Sequence, residues 1–227
     1  MLAGSAAERA AQPKRICDLC VSTLGITGAG IAMVTKEGNR GVVCATDDAS
    51  ARIEELQFSL GEGPCVDAVT TGVPVLIADL LVPNGATVDR WPVFMEGAVA
   101  AGVRAVFAFP LRIGAIIVGA LDMYNDQPGE LDAVQLPAAL MAADAAALAL
   151  LHIDTDGITG FADDFVSRGS YQMQVHQATG MVQVQLDVTT EEAFLMLRAR
   201  AFTLGQSLAE VASDVVHRRL RFSREDR

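Results

Sequence analysis

The sequence predicts an α+β fold over residues 1–151, with an antiparallel sheet flanked by helices, followed by an all-α domain of three helices. Apolar runs joined by glycine-containing turns within 29–46 and 103–124 indicate two β-hairpins. Apolar residues at helical spacing precede, separate and follow these hairpins. Beyond residue 166 only helical patterns remain, and the parallel alternation and G-x-G-x-x-G motif of a dinucleotide-binding fold are absent.

Turn residues and helix-stop residues set the elements of the first domain. Gly25 ends the first helix, and the turns at 36–39 and 112–114 join the strands of the two hairpins. The expected order is helix 7–24, strands 29–35 and 41–46, helices 50–58 and 64–71, strand 74–78, helix 91–101, strands 103–111 and 115–124, and helix 131–151.

A segment rich in Asp, Gly and Thr marks the domain boundary, so we expect a first domain over 1–151, a linker over 152–166 and a second domain over 167–227. Thr189 and Thr190 are N-cap candidates for the second tail helix. Ser207 with Glu210 is a capping-box pattern for the third, which is expected to run to about residue 220. Apolar stripes on all three helices predict one shared core.

Charge is distributed unevenly along the chain. The chain has 28 Asp+Glu and 17 Lys+Arg, a net charge of −11. Residues 1–166 hold 21 acidic and 9 basic residues, whereas residues 167–227 hold 7 and 8. Non-specific coating of a polyanion is therefore not expected. Without a membrane-spanning run or a signal-peptide core, we expect a cytoplasmic protein with no membrane contact.

The four cysteines are expected to be reduced thiols. Cys17-x-x-Cys20 has the spacing of a metal or redox pair, but no second pair follows it and no His lies nearby. These two cysteines are therefore interpreted as small apolar helix residues, and no metal site is predicted.

The first tail helix has an unusual surface. Residues 171–186 contain five Gln and no formally charged residue. Gly180 lies mid-helix, where glycine costs about 1 kcal/mol relative to Ala. Such a glycine indicates either tight helix packing or the close approach of a ligand backbone, such as that of a nucleic acid. Arg198 adds a guanidinium that can hold a phosphate or a base edge. The Arg-rich end at 218–227 is either a solvated terminus or a second basic surface.

Four blocks of the tail, HQATGM, VTTEEAF, LRARAF and LAEVASDVV, resemble the ANTAR domain, a three-helix RNA-binding module of bacterial transcription antiterminators. The similarity covers about residues 167–222 and implies binding to two-hairpin leader transcripts by a dimer. Many family members have a Lys where Thr179 stands, and the HQATGM form is typical of members of the actinobacterial type. The residues expected to contact RNA are Gln177, Ala178, Gly180, Met181, Arg198 and Ala201.

The first domain resembles the GAF domain, a sensor fold for small molecules, in its element order and in three blocks. These are GEGPC at 61–65, VRAVFAFPL at 103–111 and GAIIVGALD at 114–122. The resemblance implies a small-molecule pocket between the sheet and the helices of 50–101. Its expected lining is Phe58, Cys65, Trp91 and Phe107. No motif selects a ligand, so the cofactor stays unknown.

The sequence lacks the residue patterns that zinc-dependent, serine-nucleophile and phosphoacceptor mechanisms require, so no catalytic residue is predicted. The three histidines are scattered, and no G-x-S-x-G nucleophile motif occurs. Both lysines lie before residue 37, so the sequence lacks the later Lys that a phosphoacceptor receiver domain requires. Cys65 follows Gly63-Pro64 near a helix N-terminus, a position typical of reactive thiols, but it has no evident resolving partner.

These observations favour a signal-responsive RNA-binding antitermination regulator. One alternative is a DNA-binding regulator with a helix-turn-helix tail, although Leu208 and Val211 stand where a recognition helix needs polar residues. Another alternative is a ligand-binding adaptor without nucleic acid, which the negative charge favours. The Ala/Leu-rich helices at 7–24 and 131–151 predict a homodimer.

Overall fold

A computed structural model describes residues 8, 11–34, 40–82, 90–151 and 170–223. The chain forms two compact units, one holding the sheet and one holding the three C-terminal helices. The predicted linker at 152–166 lies outside the described residues, so the predicted domain limits stay a prediction. No described helix has the length and apolar character needed to cross a bilayer.

The first unit is an α+β sandwich, as predicted. Its elements are α1 (Gln12–Leu24), β1 (Gly28–Val34), β2 (Arg40–Ala45), α2 (Asp48–Leu60), α3 (Pro64–Thr71), β3 (Val75–Ile77), α4 (Pro92–Ala100), β4 (Ala105–Ile113), β5 (Ile116–Asn125) and α5 (Gln135–Leu151). All five described strands are antiparallel, in the order β2-β1-β5-β4-β3.

The second hairpin turns later than expected, since Arg112 and Ile113 still pair with the return strand and Gly114 supplies a left-handed φ of 62°.

The sheet separates two apolar layers. Alternation along β4 sends Phe107 and Phe109 to the face covered by α1 and α5, and Val106 to the face covered by α2 and α4. Val103, predicted as the first residue of this strand, precedes it and packs in the same layer as Val106. β4 and its neighbour β5 are therefore buried on both faces over most of their length.

Small residues of β1 leave space over the centre of the sheet, on the face of α2–α4. Gly28 pairs with Tyr124, and Gly30 pairs with Asp122. The next pair on this face is Ala32 with Ala120. The larger side chains of β5 can therefore extend across β1 toward α2.

Helix α1 packs through its cysteines. Cys17 and Cys20 are buried free thiols in the apolar layer, which confirms their interpretation as apolar helix residues. Leu19, between these two cysteines, is 58% exposed. Burial raises the pKa of Cys20 to about 11, so this thiol stays protonated at neutral pH. The Sγ atoms of Cys17 and Cys44 lie 3.4 Å apart and connect α1 to β2.

The second unit contains α6 (Ser170–Leu186), α7 (Thr190–Leu204) and α8 (Leu208–Val216). Thr189 with Glu192, and Ser207 with Glu210, form complete capping boxes at the starts of α7 and α8. The shared core that the stripes predict is present. Its buried members are Val175, Ala178, Val182, Leu186, Ala193, Leu197, Ala201, Leu208, Val211, Ala212 and Val215.

The chain after α8 folds back onto α6. The helix ends at Val216 rather than near residue 220, and Arg218 adopts a left-handed φ of 61°. Phe222 is only 6% exposed, and its backbone N–H donates to Oε1 of Gln185 at 2.9 Å. The guanidinium of Arg200 lies 5.1 Å from the centre of the Phe222 ring. The Arg-rich end is therefore anchored at Phe222, while residues 224–227 lie outside the described residues.

Candidate functional site

The predicted RNA-contacting residues of α6 divide between surface and core. Gln177 is exposed, and Gly180 and Met181 are partly exposed. Ala178 is fully buried, because its position, three residues after Val175, faces the core shared with α7 and α8. The placement of Ala178 on the binding surface is therefore corrected.

Gly180 lies in open space. No described atom outside the neighbouring helix backbone comes within 4 Å of the position that a Cβ atom would take. Packing inside this unit therefore does not require a glycine at this position. Val184, one turn later, is 83% exposed. Together with Gln177 and Met181, these residues form one uncharged helix face, which we call the α6 surface.

Thr179 belongs to the core, although many ANTAR domains have a Lys at its position. Its side chain is 2% exposed, and its hydroxyl donates to the carbonyl of Val175 at 2.7 Å. The hydroxyl is therefore satisfied inside the helix. This position supplies no positive charge to a ligand.

Helix α7 places Arg198 on an aromatic ring. The guanidinium carbon lies 4.3 Å from the centre of the Phe194 ring, one turn earlier on the same helix. This cation–π contact limits the motion of the partly exposed Arg198 side chain. Ala201 is 6% exposed and packs with Leu197 in the core, so its predicted place on the surface is also corrected.

The four residues predicted to line a pocket in the first unit are all buried, but the structure does not bring them together. Phe107 faces α1 and α5, because strand alternation directs it away from the helices at 50–101. Trp91 packs edge-to-face with Phe94 at 6.4 Å, and its indole N–H donates to Oδ2 of Asp67. Phe58 and Cys65 line one common cavity, of about 10 Å³.

A buried polar cluster lies beside that cavity. Glu54, Gln57 and Asp122 are 2%, 2% and 4% exposed, respectively. Nε2 of Gln57 donates to Oδ2 of Asp122 at 2.7 Å, and the backbone N–H of Cys65 donates to Oε1 of Gln57 at 2.7 Å. Gln57 therefore joins β5 to the start of α3. Burial, together with repulsion by Asp122, holds the pKa of Glu54 well above its usual range.

Two glycines make room for this cluster. A Cβ atom on Gly30 would lie 2.6 Å from Oε1 of Glu54, and one on Gly63 would lie 2.7 Å from Oε1 of Gln57. Gly63 also has a φ of 128°, which side chains rarely permit. The GEGPC block at 61–65 therefore also stabilises the fold. Oε1 of Glu62 accepts hydrogen bonds from backbone N–H groups at the start of α4, at 3.0 and 2.9 Å.

The sequence reasoning missed Glu54, Gln57 and Asp122. One signal was available, because Glu54 and Gln57 occupy the same helix face as the buried Ile53 and Phe58. Polar residues on an apolar helix face indicate a buried polar site. The contribution of Asp122 had no such signal, since strand pairing alone brings it to α2.

Comparison with known proteins gives two family matches. A GAF domain model matches residues 14–151, and an ANTAR domain model matches residues 171–216. No curated protein matches the chain. Among solved structures, a GAF domain region from Geobacter sulfurreducens PCA has a TM-score of 0.52 at 15% identity, covering 63% of this chain and 93% of that chain.

Two further solved structures are similar over the same part of the chain. The type II free methionine-R-sulfoxide reductase from Thermoplasma acidophilum has a TM-score of 0.47 at 14% identity, covering 63% of this chain and 93% of that one. The GAF domain of the cyanobacteriochrome TePixJ has a TM-score of 0.47 at 16% identity, covering 67% and 97%. At 15% identity, the similarity to the Geobacter sulfurreducens structure shows the fold alone.

Proposed function

Because the chain belongs to the GAF domain family and carries an ANTAR domain after its GAF domain, we propose that it is a signal-responsive, RNA-binding regulator of transcription antitermination. The ANTAR domain binds hairpin RNA in leader transcripts, and the GAF domain controls that binding. This function is regulatory rather than enzymatic, and its place is the cytoplasm, where transcripts are made.

The α6 surface is the observation that carries the proposal. It is exposed and uncharged, and at Gly180 the space for a side chain is empty. A nucleotide backbone can approach such a position closely. The Gln177 amide can hydrogen-bond to unpaired base edges, which is how RNA loops are read. Arg198, held against Phe194, supplies the positive charge that α6 lacks.

The charge distribution supports recognition by shape rather than by charge density. The acidic first 166 residues, with 21 Asp+Glu against 9 Lys+Arg, repel phosphate. Binding to RNA without the correct loops should therefore be weak. The ligand of the GAF domain is a small molecule whose identity the described cavities do not select, since each of the two next to the sheet measures about 10 Å³.

A homodimer through α1 and α5 is part of the proposal. Three apolar residues spaced seven apart are exposed just before and along α5, namely Val134 (77%), Met141 (72%) and Leu148 (57%). Leu19 of α1 is exposed as well. A seven-residue spacing of exposed apolar side chains is typical of a helix that packs against another helix.

The structure offers little support for the DNA-binding alternative. Helix α8, which would be the recognition helix, directs Leu208, Val211 and Val215 into the core. Its exposed side carries Glu210 and Asp214, which repel phosphate. No described feature favours an adaptor without nucleic acid.

Filter binding of the full chain to three labelled probes tests the proposal. The probes are a two-hairpin RNA, the same RNA with its loop bases replaced, and duplex DNA. We expect tight binding to the first probe alone, with a shallow salt dependence because few phosphates are contacted. Equal binding to all three probes, or binding to none, would contradict the proposal.

A further inference from the structure

We propose that the buried cluster of Glu54, Cys65 and Asp122 in the GAF domain is a binding site for one divalent transition-metal ion of the zinc class. The inference concerns the interior of the first unit and holds whether or not the second unit binds RNA. It departs from the sequence-based expectation, which is that the chain has no metal site.

The three side chains converge from three elements. Glu54 belongs to α2, Cys65 to α3 and Asp122 to β5, and one ligand atom of each lies within 4.8 Å of the others. A zinc ion with ligands at about 2.0–2.3 Å holds them about 3.5 Å apart. Closure around an ion therefore requires side-chain shifts on the order of 1 Å. All three residues are buried, so the shifts occur in a packed interior.

Glu54 provides the second, independent observation that points to a ligand. Its side chain is 98% buried, at 2% exposure, and its Oε1 atom has no hydrogen-bond partner in the described part of the chain. A buried carboxylate oxygen without a donor costs free energy that a cation would recover.

Two small cavities border Glu54. One cavity of about 10 Å³ is lined by Glu54 and Asp122, and another of about 10 Å³ is lined by Glu54 and Cys65. Each cavity holds roughly one water-sized group. Gly30 contributes to this space, because a Cβ atom there would meet Oε1 of Glu54.

Gln57 holds two of the ligands in place. Its amide N–H donates to one oxygen of Asp122 and its amide oxygen accepts from the backbone of Cys65. Hydrogen bonds to metal ligands orient those ligands and determine which carboxylate oxygen faces the ion. Gly63 leaves room for the Gln57 side chain, because a Cβ atom there would lie 2.7 Å from Oε1 of Gln57.

The donor atoms select the class of ion. Two carboxylate oxygens and one thiolate sulfur suit an ion of borderline softness, such as Zn²⁺, better than Mg²⁺ or Ca²⁺, which prefer oxygen alone. Binding requires that the Cys65 thiol and any protonated carboxyl release their protons to solvent. Three protein ligands leave a fourth position for water or for a small donor ligand.

Titration of the metal-free full chain with Co²⁺, monitored by the thiolate-to-cobalt charge-transfer absorption, tests the site. We expect one Co²⁺ per chain, an absorption band that Zn²⁺ abolishes, and proton release on binding. Cys65→Ser should remove the band. The matched control is Cys20→Ser, which removes a buried thiol on the other face of the sheet and should leave the band unchanged.

Glu54→Gln and Asp122→Asn decide the question if Cys65→Ser does not fold. Each should weaken Zn²⁺ binding by at least about tenfold in calorimetric titration, since each removes one charged ligand while preserving shape. Absence of stoichiometric Co²⁺ binding, a band retained in Cys65→Ser, or unchanged Zn²⁺ affinity in both carboxylate variants would overturn the proposal.

Discussion

The Oε1 atom of Glu54 lies 2.6 Å from the position that a Cβ atom on Gly30 would occupy. A buried carboxylate of α2 thus fits over the sheet only because β1 has no side chain at this point. The contact joins a glycine of an apolar strand to the acidic residue that is most buried among the described residues of the GAF domain.

Gly30→Ala should lower the free energy of unfolding by about 1–3 kcal/mol, because the added methyl group overpacks a closed interior. Urea denaturation of the full chain would measure the loss. Gly129→Ala is the matched control, since no described atom lies within 4 Å of its Cβ position. Equal stability of the two variants would show that Glu54 moves aside freely.

Glu54→Gln should stabilise the metal-free protein at neutral pH. The pKa of Glu54 is raised in the folded state, so the wild type loses stability as pH rises from the ordinary carboxyl range toward the raised value. The variant carries no such group. The gain should be on the order of 1–3 kcal/mol at about pH 7 and disappear at about pH 3, where Glu54 is protonated in both states.

Denaturation in the presence of a chelator at the two pH values would measure this difference. Glu55→Gln is the control, because Glu55 is partly exposed and pairs with Arg52 at 2.8 Å. A surface pair of this kind contributes little. A pH-independent difference between wild type and Glu54→Gln would contradict the raised pKa.

Phe222→Ala should destabilise the ANTAR domain by about 3–5 kcal/mol, since a buried aromatic ring is removed from a small core. Phe222 also holds the chain end to Gln185. Phe202→Ala provides the comparison, because Phe202 is 81% exposed on α7. Thermal unfolding monitored by circular dichroism should show a large shift for the first variant and a negligible one for the second.

Leu148→Asp should convert the predicted homodimer to a monomer by placing a charge on the exposed apolar stripe of α5. Light scattering at micromolar concentration would measure the mass. The control is Ile116→Asp, since Ile116 is 68% exposed at the start of β5 rather than on α5. A wild-type chain that is already monomeric would contradict the dimer.

Local patterns predicted most of the fold. The hairpin within 103–124, the N-cap at Thr189 and the capping box at Ser207 depend on residues close in sequence, and the structure confirms all three. The sequence did not predict the burial of Phe222, because that burial depends on a left-handed turn at Arg218. No glycine near Arg218 indicates such a turn in the sequence.

The candidate sites were predicted less completely, because surface and core residues share one helix. Gly180 and Ala178 lie two positions apart in one motif, yet only Gly180 lies toward open space. The family motif therefore mixes residues that maintain the core with residues of the α6 surface. The cluster around Glu54 needed the register of β1 and β5, which spacing in the sequence does not reveal.

Arg198→Ala should weaken binding to two-hairpin RNA by roughly 1–3 kcal/mol, through loss of a guanidinium that contacts phosphate or a base edge. Arg198→Lys separates charge from geometry, because Lys keeps the charge but not the planar fork. We expect intermediate affinity for the Lys variant. Wild-type affinity in both variants would exclude Arg198 from the interface.

RNA binding by Gly180→Glu is the most direct test of the proposed function. The new side chain enters open space and a helix position where Glu is favoured over Gly, so folding should be unchanged or slightly more stable. Gln206→Glu adds the same charge at an exposed residue between α7 and α8 and serves as the control. Gly180→Glu should abolish binding to the two-hairpin RNA, whereas Gln206→Glu should retain it. A folded Gly180→Glu protein with wild-type affinity would contradict the proposed function.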